Sequence, residues 1–138
     1  MALPDISSLS TIASIGGGPI GGGWTAHFLA RGYDVRAYLH DPAEEPAFRD
    51  IIETAWPCLI ELGLADTASL ERLYITTNLE DAVADAEFIQ ESAVERLEEK
   101  QDLYHKLGKI VAADIVIASS TSGLLMSDIQ ARCDIAER

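Results

Sequence analysis

The chain has 138 residues, enough for one domain, and carries 23 acidic against 10 basic side chains, a net charge of −13 at pH 7. That balance excludes nucleic acid and anionic membrane surfaces as partners, while a hydrophobic share of 48% provides for a real core.

Residues 11–15 read as a first strand. It runs into Gly16-Gly17-Gly18-Pro19-Ile20-Gly21, where Gly16, Gly18 and Gly21 stand at the spacing G-x-G-x-x-G. The first glycine allows a tight turn, the second lets a pyrophosphate approach the backbone, and the third lets a helix pack close to the strand. The amides and positive dipole end of the next helix, expected over 19–31 and closed by Gly32, then face the phosphates. A second strand over 34–39 completes the strand–turn–helix–strand order that the motif requires. A glycine turn without a ligand is the competing reading.

An acidic turn over 41–46 follows. Ile51, Ile52, Ala55, Leu59 and Leu62 mark a helix over 47–62, with Pro57 expected to kink or break it and Gly63 to end it. A short helix is expected over 66–72 and a strand over 73–77. Thr77 with Glu80 forms a capping box for a helix over 79–84. A strand over 87–91 leads to a long charged helix over 95–111. The strand over 114–118 is apolar through its middle and is expected at the sheet centre. Ser127 with Gln130 is a further capping box, opening a last short helix.

Alternating strands and helices predict an α/β domain: a doubly wound parallel sheet of Rossmann type, truncated after about five strands, with right-handed crossovers. Cys58 and Cys133 are too few and too far apart for a disulfide framework or a metal site, and their apolar helical surroundings read them as small buried hydrophobes. No basic start leads into an apolar leader and no apolar run reaches membrane-spanning length, so a cytoplasmic location is expected.

Four stretches, in order, resemble the N-terminal NAD-binding half of the 3-hydroxyacyl-CoA dehydrogenase family, most of all its L-carnitine dehydrogenase branch. They are Gly21-Gly22-Gly23-Trp24, Ala55-Trp56-Pro57, the run from Phe88 to Arg96, and the run from Ile117 to Leu125. The resemblance implies oxidation of a 3-hydroxyl to a 3-keto group with NAD. It assigns Gly16, Gly18, Pro19, Ile20 and Gly21 to the pyrophosphate. Glu95 matches the glutamate near the nicotinamide ribose, and Lys100 a lysine that contacts the cofactor. Ser122 matches the catalytic serine that hydrogen-bonds the substrate hydroxyl and borders the nicotinamide. Glu95, three residues after Ser92, also fits a capping box, and Ser122 also fits a turn.

Two departures stand out. Leu39 occupies the position where an acidic residue should close the second strand and bind the adenosine ribose. A two-residue insertion before Asp41-Pro42 makes Asp41 the equivalent residue; His40 facing a 2′-phosphate keeps NADP as the second cofactor. On this resemblance the family's catalytic histidine and its partner glutamate are expected beyond residue 138, together with the helical substrate and dimer domain. His27, His40 and His105 read as surface or packing residues. The chain is therefore expected to be the cofactor domain, inactive alone, of a homodimeric enzyme acting on a small 3-hydroxy acid or an acyl-CoA. A stand-alone NAD(P)-binding module is the alternative.

Overall fold

The computed structural model describes residues 5–134 and 136. Its strands are β1 (Thr11–Ile15), β2 (Asp34–Tyr38), β3 (Leu73–Thr76), β4 (Phe88–Glu91) and β5 (Val116–Ser119). All pair in parallel, in the order β3-β2-β1-β4-β5. The chain first steps outward from β1 through β2 to β3, then returns to lay β4 on the other side of β1. That reversal opens a crevice at the carboxyl ends of β1 and β4, where open α/β sheets bind ligands.

The helices are α1 (Pro19–Ala30), α2 (Glu45–Leu62), α3 (Leu79–Val83), α4 (Leu97–Ile110) and α5 (Met126–Ile129). They cover both faces of the sheet. Ile12 joins Leu29, Val35, Phe48 and Ile52 in the core under α1 and α2. Its neighbours Ala13 and Ile15 join Ile89, Tyr104, Leu107 and Ile117 in the core under α4. β1 thus buries both faces, as the middle strand of a parallel sheet must. Each fully buried large apolar side chain contributes about 1.5–3 kcal/mol.

Polar and glycine contacts fix α1 against β1. The hydroxyl of Thr25 donates to that of Ser14 at 2.9 Å, both side chains being buried. A Cβ on Gly21 would overlap the carbonyl oxygen of Gly16, and one on Gly22 would press on Ile51 of α2. Only glycine permits these approaches.

Several boundaries differ from those expected. α2 runs unbroken through Pro57. The proline lies on an exposed stretch, so one lost hydrogen bond is tolerated while Phe48 and Ile52 anchor the helix. Residues 66–72 form only a 3-10 turn, Leu70–Arg72. Asn78, not Thr77, caps α3, through its side-chain oxygen and the Asp81 amide. α5 starts after Leu125 without a side-chain cap, so the Ser127 capping box is not formed. β5 lies at the sheet edge rather than its centre. Its one buried side chain, Ile117, packs in the core under α4, and burial on a face says nothing about how many strands flank it. Cys58 is exposed rather than buried, and Cys133 is only partly buried, at the margin of the core under α4. No helix among the described residues is long and apolar enough to cross a membrane.

Candidate functional site

The glycine loop caps the carboxyl end of β1. Gly16 has φ +123°, a conformation that side chains resist, and its amide donates to the Tyr38 carbonyl at 3.1 Å. A Cβ there would also overlap the Ser92 carbonyl, so Gly16 lies against the end of β4. Gly18 is the N-cap of α1 and Pro19 takes the first helical position, where its missing N–H costs nothing. No side chain caps this helix start, which leaves its first-turn amides for a ligand. A Cβ on Gly18 would meet nothing within 4 Å. The fold itself does not need glycine at that point, and the space above it is open. Ile20, 60% exposed, stands beside this space.

A second polar group lies across the crevice, at the ends of β4 and β5. Glu91, the last residue of β4, is fully buried. Its carboxylate accepts from Lys100 Nζ at 2.6 Å, the Ala93 amide at 2.7 Å and the Ser119 hydroxyl at 2.5 Å; the Tyr104 hydroxyl stands 3.4 Å away. Burial first, then the Glu91 charge, pushes the Tyr104 phenol well above its ordinary range, so it stays protonated. Lys100, on α4 and 1% exposed, also reaches the Ala93 carbonyl at 3.3 Å and Glu95 Oε2 at 3.5 Å. A buried ion pair survives only when both groups are this fully bonded.

Glu95 lies on the exposed rim above it. Its Oε1 accepts from the Thr121 hydroxyl at 2.6 Å and from the amides of Ser122 and Gly123, each at 3.2 Å. The Thr121 hydroxyl bond, the Gly123 and Ser122 amides and the Lys100 charge together lower its pKa from 4.5 to about 2. Glu95 therefore clasps the loop after β5 and presents Ser122 at the rim. It does not cap α4, whose N-cap is Arg96. Deeper in, the hydroxyls of Ser92 and Ser120 pair at 2.8 Å, and the Gln90 amide donates to Ser120 at 3.0 Å.

The structure thus brings the glycine loop, Glu95 and Ser122 to one edge of the sheet. Lys100 lies beneath that edge, buried between Glu91 and Glu95. Glu91, which organises the group, was missed in the sequence; a carboxylate closing a strand that opens with Phe88-Ile89 was the available signal. Asp41 lies on the rim after β2, where its side chain accepts from the Ala43 amide at 2.8 Å. Leu39 points into the core and is fully buried. Among the histidines, His27 and His40 are exposed, and His105 contacts the Arg132 carbonyl at 2.8 Å. No group of His, Cys, Asp or Glu among the described residues is placed to hold a metal ion.

Comparison with known proteins gives a consistent set of likenesses. The profile of the 3-hydroxyacyl-CoA dehydrogenase NAD-binding domain matches residues 11–138. An L-carnitine dehydrogenase of Streptomyces coelicolor is 56% identical over 119 residues, which cover 86% of this chain and 37% of that protein. An L-carnitine dehydrogenase of a Pseudomonas species is 45% identical over 136 residues, covering 99% of this chain and 42% of that protein. Among solved structures, 3-hydroxybutyryl-CoA dehydrogenase of Escherichia coli K12 superposes with a TM-score of 0.82 at 27% identity, over 94% of this chain and 28% of the other. The chain spans about two fifths of the length of the curated relatives it matches.

Proposed function

The chain belongs to the family of the 3-hydroxyacyl-CoA dehydrogenase NAD-binding domain, and on that premise we propose that it is the cofactor half of an enzyme oxidising a 3-hydroxyl to a 3-keto group. The observation that carries this reading is the open space over Gly18 at the uncapped start of α1, beside the strand-order reversal. A pyrophosphate fits there because backbone amides and the helix dipole are what phosphates need. Gly16, Gly18, Pro19, Ile20 and Gly21 form the cradle. The adenosine ribose falls to the rim after β2, where the sequence nominates Asp41.

A dinucleotide held by Gly16, Gly18 and Gly21 would supply the hydride acceptor for oxidation of the carbon that carries the substrate hydroxyl. Ser122 donates to or accepts from that hydroxyl and fixes its position. Glu95 borders the nicotinamide ribose and holds the Ser122 loop in place through its amide contacts. Lys100 acts through Glu95 and Glu91 as a positioning residue. His27 and His40 are exposed and His105 bonds the Arg132 carbonyl; because the chain spans about two fifths of its relatives, we assign the proton acceptor and the contacts of a homodimer to the remainder of the enzyme.

For the substrate, identities of 56% and 45% to L-carnitine dehydrogenases favour a small quaternary-ammonium 3-hydroxy acid. The E. coli neighbour makes an acyl-CoA the second reading, at 27% identity. The test is a titration of NADH into the purified chain, followed by its fluorescence. Saturable one-to-one binding is expected; a folded chain with no saturable binding overturns the reading.

A further inference from the structure

The position just after β2, where an acidic side chain should meet the adenosine ribose, is lost to Leu39. Its side chain is fully buried in the core under α1 and α2, and its amide donates to the Thr76 carbonyl at 3.0 Å. Asp41 has a local task. It caps the 3-10 turn Pro42–Glu44 through the Ala43 amide. The last residue of that turn is placed differently. A Cβ built on Gly17 would stand 2.5 Å from Glu44 Oε2 and 3.3 Å from Glu44 Cδ. The Glu44 carboxylate therefore lies directly over the bare Cα of Gly17, in the middle of the glycine loop.

Two further facts set this carboxylate apart. It makes no hydrogen bond or ion pair among the described residues, although the side chain is partly buried and heads α2 at its N-cap position. And Gly17 is the one loop glycine that the G-x-G-x-x-G spacing does not require. A side chain at 17 would collide with Glu44, so glycine there keeps the seat of the carboxylate clear.

We propose that Glu44 is the acceptor for the adenosine ribose hydroxyls and the residue that selects NAD over NADP. This rests on the cofactor reading above. With phosphates at the start of α1, the adenosine ribose lies between the loops after β1 and β2, and Glu44 is the unpartnered carboxylate in that gap. Its two oxygens suit the two vicinal O–H donors of a ribose. The same charge repels a 2′-phosphate, which is discrimination through an unfavourable contact with the wrong ligand.

The experiment titrates NADH and NADPH separately into the wild-type chain, Glu44→Gln and Asp41→Asn, each checked for folding by circular dichroism. Wild type should prefer NADH by at least about tenfold, which corresponds to about 1.4 kcal/mol. Glu44→Gln should weaken NADH by about tenfold while NADPH weakens little or gains, so the preference collapses; Asp41→Asn should narrow it less. Gly17→Ala, which displaces the carboxylate without removing it, should narrow the preference in the same direction, and so tests the idea should Glu44→Gln fold poorly. An unchanged preference in both Glu44→Gln and Gly17→Ala overturns the proposal, as does a collapse confined to Asp41→Asn. Absence of NADH binding by the folded wild-type chain instead overturns the cofactor reading itself.

Discussion

Glu95 Oε2 lies 3.5 Å from Lys100 Nζ, so a carboxylate on the open rim is tied to an ammonium sealed beneath it. Through its other oxygen Glu95 holds Thr121, Ser122 and Gly123. The loop that presents Ser122 is thereby fastened to the start of α4 and, through Lys100, to the end of β4.

This clasp predicts a pH dependence. The Thr121 hydroxyl and the neighbouring amides hold Glu95 at about 2 against an ordinary 4.5. A carboxylate whose pKa falls on folding contributes stability that is fully present above its unfolded value and is lost as pH drops toward the folded one. The stability gap between wild type and Glu95→Gln, read from urea unfolding, should stay constant from about pH 7 to about pH 5. Below 4.5 it should shrink progressively toward 2. A gap that does not change across the acid range contradicts the clasp.

The buried pair of Glu91 and Lys100 makes a second prediction. Lys100→Met leaves the Glu91 carboxylate without its counter-charge and should cost about 3–5 kcal/mol. Replacing both, Glu91→Leu with Lys100→Met, removes the stranded charge and should recover at least about half of that loss. Urea unfolding of the three proteins checks it; a single substitution costing under about 1 kcal/mol contradicts an uncompensated buried charge.

The glycine loop separates glycines kept for the fold from one kept for the ligand. Gly18→Val places its side chain in open space and should cost no more than the about 1 kcal/mol of a poor N-cap, while NADH affinity falls at least about tenfold. Gly21→Ala drives its Cβ into the Gly16 carbonyl and should destabilise the chain by about 1–3 kcal/mol. Unfolding midpoints paired with NADH titrations distinguish the two; unchanged NADH affinity in Gly18→Val removes the phosphate assignment.

Pro57 interrupts the hydrogen bonding of α2 without ending the helix. Pro57→Ala restores the donor, against a smaller loss from freeing the unfolded chain, and should stabilise by about 1–2 kcal/mol. A lowered melting temperature in Pro57→Ala contradicts the unbroken helix.

Much of this was legible in the sequence because local chemistry and tertiary structure agree. Ile12, Ala13 and Ile15 mark β1 as an apolar strand locally, and the glycine loop that follows matches the turn such a strand makes into a helix. The crevice residues Glu95 and Ser122 were found by resemblance to a family, and their meeting at one rim follows from β4 and β5 being neighbours. What escaped is non-local. The edge position of β5 depends on which strands flank it, and its own residues do not record that. Resemblance matches Lys100 to a lysine that contacts the cofactor, but its burial against Glu91 is not recorded in its own charged helix. Glu44 reads as one more acidic residue of an exposed turn, because its contact with Gly17 is made only when the loops after β1 and β2 come together.

The most direct test of the central claim is an amide map of the isotopically labelled chain by NMR, recorded with and without NAD. NAD bound at the glycine loop should shift amides at residues 16–21, at 39–44 and at the rim residues Glu95 and Ser122. Shifts absent there, or gathered instead at the opposite end of the sheet around the apolar groove of Leu9, Phe28, Tyr33 and Val116, would contradict that claim.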